Sequence, residues 1–260
     1  MSRNSFTVLG SSSGLPQADR ACSGYLLQVG ESLNLIDCGG GVTASLLRCG
    51  FDPLKLERIF ITHTHSDHCC ELTLVVQMLH VLRSKRQLDI HVPDEFVRPF
   101  LAYLNAVYLF PQHVSPDLHI HGYSDGFVFN GDGFQLTAHA NQHLAKAADV
   151  IEQYDIPNRM QCHSFRISTP DAALFYSADI ADFDEIVPHL RDLNYAVIES
   201  THIELERLLD HARNSTVRRY ILTHLGNDAE VSALARRIQA SGMDHVSLAN
   251  DGLCLSLDRV

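Results

Sequence analysis

Residues 63–68 place three histidines and one aspartate within six positions, directly after a run of apolar, β-favouring residues. The stretch reads IFITHTHSDH. Because side chains two apart in an extended segment point the same way, His63 and His65 should emerge on one side and reach one metal ion. Asp67 and His68 follow as the chain turns toward a helix, so they can serve a second ion nearby. A strand followed by this motif is a far more specific signal for metal binding than a lone histidine. A purely structural role for the four residues is therefore disfavoured.

Three later strand-like segments each end in a histidine or an aspartate. FQLTAHANQH ends in His143, LFYSAD in Asp179 and YILTH in His224. Ligands for an edge site gather where strands stop, so these residues are the candidates for the rest of a metal centre. His139 is the alternative to His143, but it lies four residues earlier, inside the strand pattern. We therefore favour His143.

The composition limits both the fold and the partners. A chain of 260 residues that is 45% hydrophobic can build one large core, and we expect a single domain over residues 1–260. The formal net charge of -11 argues against long nucleic acid, which is bound through lysine and arginine. Neither a signal-like segment nor a run of about 18 apolar residues occurs. We expect a cytoplasmic protein without membrane contact. Its seven cysteines show no paired spacing, so we expect them to be reduced thiols.

Strands and helices alternate in a similar way in the two halves of the chain. The first half predicts the strands SFTVLG, GYLLQVG, SLNLID and RIFIT, a helix after the glycines of CGGGVTASLLRCG, and helices in ELTLVVQMLHVLRS and DEFVRPFLAYLNAVYLF. The rest predicts the strands GFVFN, FQLTAHA, CHSFRIST, ALFYSAD, YAVIES and YILTH, and a helix in DAEVSALARRIQAS. Two halves of similar content predict an α/β fold in which two sheets pack face to face with helices outside.

The motifs together resemble the metallo-β-lactamase fold superfamily, nearest to its ribonuclease Z and phosphodiesterase-like branch. The resemblance covers nearly the whole chain. It is carried by FTVLGSSSGLP, LNLIDCGGGVTASLLRCG, the metal motif IFITHTHSDH, the YSAD segment, ILTHLG and LANDGLCLSL. It implies a four-layer αβ/βα metallo-β-lactamase sandwich of two mixed β-sheets with helices outside.

The resemblance also implies a two-metal centre, with zinc as the expected metal and manganese or iron as alternatives. Two ions held close together would lower the pKa of a bridging water toward about 7 and give a hydroxide nucleophile. Asp67 is the expected catalytic residue, since it can orient this nucleophile and accept its proton. The implied ligands are His63, His65 and His143 for the first ion, Asp67, His68 and His224 for the second, and Asp179 as the bridge.

Two departures from ribonuclease Z argue against tRNA maturation. Glu71 stands where those enzymes usually have a glycine, which puts the local loop shape in question. Asp179 lies only 36 residues after His143, so no basic arm for gripping tRNA is visible. The interval instead contains LAKAADVIEQYDIPNRM, which we expect to act as a lid over the site.

The donor of a proton to the leaving group is left open by the sequence. The branch has a later box with a catalytic histidine and glutamate, and this chain keeps Glu199 but has Ile198 in the histidine's place. His202 follows three residues after Glu199. A metal-bound water, His202 and a group of the substrate are the alternatives.

The expected function is metal-dependent hydrolysis of a small phosphodiester or short nucleotide. The alternative is ester, lactone or thioester hydrolysis on the same metal pair, because the motif fixes the nucleophile but not the electrophile. A metal-binding partner or sensor without turnover is less favoured, since all seven ligand positions are filled. A homodimer is left open.

Several other polar residues near these motifs receive simpler interpretations. Asp37, at the end of a strand, is expected to accept a hydrogen bond and orient a ligand imidazole. Cys69 and Cys70 adjoin the metal motif and receive no role, because buried cysteine usually behaves as a small hydrophobe. His119 and His121, in LHIHGYSDG, are expected to be polar loop residues.

Overall fold

The computed structural model describes residues 4–259, and these form two compact units. Each unit contains one seven-stranded sheet, and both sheets are mixed, which confirms the predicted pair of mixed sheets with helices. The extent of the single domain stays a prediction. The first unit consists of residues 4–124 and 251–256, and the second of residues 125–250 and 257–259.

The sheet of the first unit is antiparallel on one side and parallel on the other. Its strands are β1 (Ser5–Gly10), β2 (Gly24–Val29), β3 (Ser32–Ile36), β4 (Leu56–Phe60), β5 (Gln87–Pro93), β6 (Asp117–Tyr123) and β14 (Cys254–Ser256). They lie in the order β14-β1-β2-β3-β4-β5-β6. The pairs from β14 to β3 are antiparallel, whereas β3, β4, β5 and β6 run parallel.

The helices of the first unit pack on one face of this sheet. They are α1 (Val42–Arg48), α2 (Ser66–Cys69), α3 (Leu72–Val81) and α4 (Val97–Ala106). In α3, Leu72, Val75, Val76 and Leu79 are buried, and this spacing places them on one helical stripe. They join a core that includes Leu88, Ile90 and Val92, the alternate residues of β5.

The second unit also has a mixed sheet. Its strands are β7 (Val128–Gly131), β8 (Phe134–Ala140), β9 (His163–Ser168), β10 (Ala173–Tyr176), β11 (Tyr195–Glu199), β12 (Arg219–Thr223) and β13 (Val246–Leu248). They lie in the order β13-β12-β11-β10-β9-β8-β7. The strands β10 to β13 are parallel, and the pairs from β7 to β10 are antiparallel.

The helices of the second unit are α5 (Ala148–Gln153), α6 (Leu205–Ala212) and α7 (Asp228–Ser241). A capping box begins α7, in which the Asn227 side chain accepts hydrogen bonds from the Ala229 and Glu230 N–H groups, and the Glu230 carboxylate accepts one from the Asn227 N–H. Gly242 ends the helix with φ 68°, a left-handed conformation that suits glycine. The sequence therefore fixes both ends of α7 where the pattern predicts them.

The interpretation of His119 and His121 as loop residues is wrong, because both lie in the edge strand β6. Leu118 and Ile120 alternate with them and pack against the core of the first unit. The period of two was present in DLHIHGY, but only two of its seven residues, Leu118 and Ile120, are aliphatic. Across residues 4–259 the structure contains no helix that is both long and apolar enough to cross a membrane.

Candidate metal centre

The first group of predicted ligands lies where two parallel strands end. Asp37 follows β3, and His63 comes three residues after β4. Because β3 and β4 are parallel neighbours, their carboxyl ends meet at one edge of the sheet. The Asp37 N–H donates to the carbonyl of Phe60 at 2.9 Å, which extends the pairing to the start of the motif.

His63, His65, Asp67 and His68, the first ligand group, lie together in the first unit. The ring centroid of His63 is 4.9 Å from that of His65 and 4.1 Å from that of His68. Asp67 and His68 belong to the short helix α2, and Asp67 Oδ2 is 3.7 Å from His68 Nε2. His63 and His68 are fully buried, whereas His65 is exposed. Imidazoles buried beside a carboxylate are the donors of a transition-metal site.

Asp37 holds the two buried imidazoles in orientation. Its Oδ2 lies 2.8 Å from His68 Nδ1, and its Oδ1 accepts a hydrogen bond from the Thr62 N–H at 2.8 Å. The Thr62 hydroxyl contacts both Asp37 oxygens and lies 3.1 Å from His63 Nδ1. With Nδ1 of both rings engaged in this way, Nε2 is the atom that would bind a metal. Asp37 is fully buried, so this arrangement is shielded from water.

Replacing Asp37 by asparagine should weaken metal binding by about 10- to 100-fold, since an amide orients the His68 ring less strongly than a carboxylate. Asparagine matches the shape of aspartate and tolerates the left-handed backbone at this position (φ 55°). Competition with a chromogenic chelator measures the affinity. Asp132→Asn, in an exposed turn, is the matched control. Equal affinities of the two variants would contradict the orienting role.

Glu71, the departure from ribonuclease Z, ties the metal motif to helix α1. Its two carboxylate oxygens accept hydrogen bonds from the Gly41 N–H at 2.6 Å and the Thr43 N–H at 2.7 Å. An acidic group at a helix N-terminus also interacts favourably with the helix dipole. A Cβ on Gly39 would lie 1.9 Å from the Asp67 carbonyl oxygen, so only glycine fits there. The IDCGGG segment is thus a close-packed turn against the motif.

The second unit gathers its predicted ligands at the ends of parallel strands. Asp179 follows β10, Glu199 ends β11 and His224 follows β12 directly. These three strands are parallel neighbours, so their carboxyl ends share one edge. The strand β8, two antiparallel steps away from β10, ends at the same edge and leads to His143.

Asp179 lies between two imidazoles, and His143, Asp179 and His224 form the second ligand group. His143 Nε2 is 3.5 Å from Asp179 Oδ2, and His224 Nε2 is 3.4 Å from the other oxygen, Oδ1. Both separations exceed the usual hydrogen-bond length of about 2.9 Å. They match the spacing of about 3.4 Å between neighbouring ligands of a tetrahedral ion with bonds of about 2.1 Å. Asp179 is 2% exposed, and each of its oxygens faces a different histidine.

The two rival histidines of the third motif lie in different surroundings. His143 begins a short 3-10 helix and faces Asp179. His139 lies in β8, and its ring packs 4.1 Å from that of His189 and 6.4 Å from that of Phe175. Burial lowers the pKa of His139, which keeps its ring neutral. The structure therefore places His143, and not His139, beside Asp179.

His202, one of the alternatives that the sequence left open for the proton donor, lies beside the second ligand group. Its ring centroid is 4.9 Å from that of His143 and 5.9 Å from that of His224. Its Nδ1 is 3.0 Å from Glu199 Oε1, and Glu199 also accepts the His202 N–H at 2.9 Å. The hydrogen bond to Glu199 raises the pKa of His202. The only sequence signal for this pair was the retained glutamate of the family's histidine–glutamate box.

Three non-glycine residues that follow the strands of the two ligand groups have a left-handed backbone conformation. Asp37 has φ 55°, Ala178, directly before Asp179, has φ 50°, and His224 has φ 54°. Such a conformation is uncommon for residues with a side chain and is associated with functional sites. Each bend redirects the chain just where a strand has ended. The local strain thus accompanies the residues that were predicted to act chemically.

The two cysteines of the metal motif have raised thiol pKa values. Burial raises the pKa of Cys69 to about 12 and also raises the pKa of Cys70. Both side chains are therefore protonated thiols at neutral pH. This agrees with the interpretation that gave them no role.

Each of the two ligand groups consists of side chains that suit divalent metal ions by their chemistry. They offer five imidazoles and two carboxylates, a donor set that suits zinc and also manganese or iron. The separations between Asp179 and its two histidines are those expected of metal ligands. The contacts of Asp37 with His68 and of Thr62 with His63 at Nδ1 are those expected of groups that orient metal-binding imidazoles.

Comparisons with known proteins agree with the motifs. The family described as Anti-Pycsar protein Apyc1 matches residues 4–239. The chain belongs to this family. The chain is also 28% identical over 265 residues to ribonuclease Z of Methanothermobacter thermautotrophicus, an alignment that covers 84% of this chain and 85% of the relative. The resemblance to the ribonuclease Z and phosphodiesterase-like branch is therefore confirmed.

Two solved structures show the same fold. The metallo-β-lactamase fold protein YhfI from Bacillus subtilis superposes with a TM-score of 0.78 at 20% identity, covering 98% of this chain and 99% of YhfI. A diphosphatase from the PhnP family superposes with a TM-score of 0.70 at 18% identity, covering 97% of each chain. This member of the Apyc1 family thus has the metallo-β-lactamase fold. With its histidine and aspartate groups and its likeness to ribonuclease Z, it is a metal-dependent hydrolase.

Proposed function

We propose that the chain hydrolyses a small phosphodiester or a short nucleotide with the help of two divalent metal ions. The observation that carries this proposal is the geometry of Asp179, whose two buried oxygens each face one histidine. A carboxylate in this position suits a bridge between two ions. The other ligands we propose are His63, His65 and His143 for one ion, and Asp67, His68 and His224 for the other. Zinc is the metal that we propose.

The metal pair would supply an acidified water at neutral pH and positive charge against which a phosphate oxygen can be stabilised. Asp67 is the residue that we propose as proton acceptor, because its carboxylate lies at the N-terminal turn of α2 and is not fully buried. A Cβ on Gly14 would lie 3.3 Å from Asp67 Oδ2. The small residue at position 14 therefore keeps space next to this carboxylate.

His202 is the residue that we propose as proton donor to the leaving group. Glu199, which is fully buried, holds Nδ1 of the ring, so Nε2 is the atom that would deliver the proton. The side chain is 29% exposed, which leaves it accessible to a substrate. Its position beside His143 and His224 supports this role.

Replacing His202 by alanine should slow the hydrolysis of a diester with an alkoxide leaving group by about 100-fold, which is the lower end of the range for general acid catalysis. The hydrolysis of bis(p-nitrophenyl) phosphate should slow by a much smaller factor, because p-nitrophenolate leaves readily without a proton. Steady-state kinetics on a dinucleotide, whose leaving group is an alkoxide, and on bis(p-nitrophenyl) phosphate measure the difference. A loss by the same factor on every substrate would indicate a structural role instead.

A small substrate is favoured over long nucleic acid. The net charge of -11 opposes the binding of an extended phosphate backbone. The interval between His143 and Asp179 holds only a 3-10 helix, α5 and the strands β9 and β10. The similar proteins include a ribonuclease and a diphosphatase, and both names describe hydrolysis at phosphate groups. We propose that residues 144–160, which expose Val150 and Tyr154, cover the bound substrate.

A substrate panel tests the proposed electrophile. Protein reloaded with zinc, manganese or iron should cleave bis(p-nitrophenyl) phosphate and small nucleotide diesters, including cyclic nucleotides. It should act much more weakly on thioesters and lactones. Asp67→Asn provides the matched inactive control. Efficient thioester or lactone turnover without diester cleavage would contradict the phosphodiesterase proposal and support the alternative hydrolase.

A further inference from the structure

We infer that the first unit carries an additional binding site for a late first-row divalent cation such as Zn²⁺, formed by Asp89, His119 and His121. None of these residues belongs to either ligand group, and the inference is independent of the proposed function. The site lies at the edge of the sheet, on β5 and β6.

The strand register brings the three side chains to the same face. Asp89 pairs with His119 in the parallel ladder between β5 and β6, and His91 pairs with His121 two residues later. Residues two apart on a strand share a face, so Asp89, His119 and His121 all point to one side. The opposite side is occupied by Leu88, Ile90 and Val92 of the core. The hydrophobic pattern of β5 thus fixes the direction of the polar cluster.

The donor atoms lie at distances that one ion can close. Asp89 Oδ1 is 2.9 Å from His121 Nε2 and 3.9 Å from His119 Nδ1. One donor atom from each residue lies within 4.8 Å of the others. Neighbouring ligands of a tetrahedral zinc ion are separated by about 3.4 Å. The observed distances lie on both sides of this value, so small side-chain rotations would suffice.

Neighbouring groups support the three donors as they do in metal sites. His119 Nε2 lies 3.4 Å from Asp117 Oδ2, so the ring can present Nδ1 to a metal while a carboxylate holds its other nitrogen. The Gln87 side-chain amide donates to Asp89 and restrains its carboxylate. The His121 ring stacks on His91, with centroids 4.8 Å apart. All three donors are thereby restrained in the position in which they face one another.

Access to the cluster suits an exchangeable ion. The side chains of His119 and His121 are 43% and 44% exposed, and Asp89 is 21% exposed. An ion could therefore enter from solvent, and water could complete its coordination. Two imidazoles and one carboxylate favour zinc, copper or nickel over magnesium or calcium, which prefer oxygen ligands.

Zinc counting on variants tests this inference. The protein is saturated with Zn²⁺, freed of loosely held metal and examined by native mass spectrometry. His121→Phe keeps an aromatic ring against His91 but lacks a donor nitrogen, and Asp89→Asn removes the charge. Wild-type protein should hold one more zinc ion than either variant. His113→Phe, at an exposed position of the same unit, is the matched control and should keep the additional ion.

A second measurement identifies the ligands directly. In ¹⁵N-histidine spectra, the zinc equivalent that binds after the tight sites are filled should shift the ring nitrogens of His119 and His121. Hydrolytic activity should be the same in all four proteins, because these residues have no part in the proposed reaction. Equal zinc counts in wild-type protein and His121→Phe would overturn the inference. Loss of the additional ion in His113→Phe would equally overturn it, since the binding would then be non-specific.

Discussion

Replacing Asp179 by alanine should remove both metal ions of the proposed centre and lower diester hydrolysis by about a thousandfold. Each of its two oxygens faces a different histidine, so one substitution disturbs both proposed sites. Charge stabilisation by metal is worth several kcal/mol, and about 4 kcal/mol corresponds to a factor of about a thousand. Native mass spectrometry gives the metal count, and initial rates on bis(p-nitrophenyl) phosphate give the activity.

Asp171→Ala is the matched control for this experiment, because Asp171 is an exposed aspartate in the turn between β9 and β10. It should keep both the metal and the activity. Thermal unfolding of the metal-free proteins separates loss of ligands from loss of the fold. If Asp179→Ala retains an unchanged metal count, the carboxylate does not bridge two ions and the two-metal proposal is wrong.

Alanine at position 143 should abolish activity and lower the metal content, whereas alanine at position 139 should leave the metal content close to normal. His143 Nε2 faces Asp179, while His139 packs against His189 and Phe175. The expected loss of rate for His143→Ala is at least about 100-fold, because one ion would lose a ligand. Metal analysis of both purified variants, followed by kinetics on the same diester, provides the comparison.

The two variants also control for each other, since each removes one imidazole from the same segment of the chain. His139→Ala should mainly affect stability, because it removes a half-buried ring from the sheet of the second unit. The opposite result, with metal lost from His139→Ala and kept in His143→Ala, would contradict the assignment of the third motif.

The residues predicted as ligands lie close to strand ends in the structure, as their positions in the sequence indicated. The strand YILTH stops at His224, and the structure ends β12 one residue earlier. FQLTAHA forms β8 and DAEVSALARRIQAS forms α7 over the predicted residues. In these elements apolar periodicity, turn residues and caps all favour the same boundaries.

The sequence patterns did not lead to a prediction of β5, β6 or α6. β5 and β6 contain charged and histidine residues on one face, so fewer than half of their residues suggest a buried strand. Their pairing depends on neighbours distant in the sequence, which no local pattern reveals. α6 is short, and its buried face consists of four residues, Leu205, Leu208, Leu209 and Ala212.

Long-range side-chain contacts were also beyond the sequence. Glu71 was recognised only as a departure from a family pattern, although its carboxylate binds the start of α1. The contact joins residues about 30 positions apart, and neither Glu71 nor the start of α1 indicates it when read alone. Glu199 and His202 are only three residues apart, but the sequence gave no sign that the chain bends after β11 so that the two side chains meet. Such contacts follow from tertiary packing, which places distant residues at one edge.

A metal titration of the stripped protein tests most directly whether two ions act together on a phosphodiester. Zinc is added stepwise while the hydrolysis of bis(p-nitrophenyl) phosphate is followed, with His121→Phe titrated in parallel to leave the additional site out of the count. Activity should stay near background without metal and reach its maximum at two equivalents per chain. Full activity at one equivalent, or undiminished activity in the stripped protein, would contradict the two-metal mechanism.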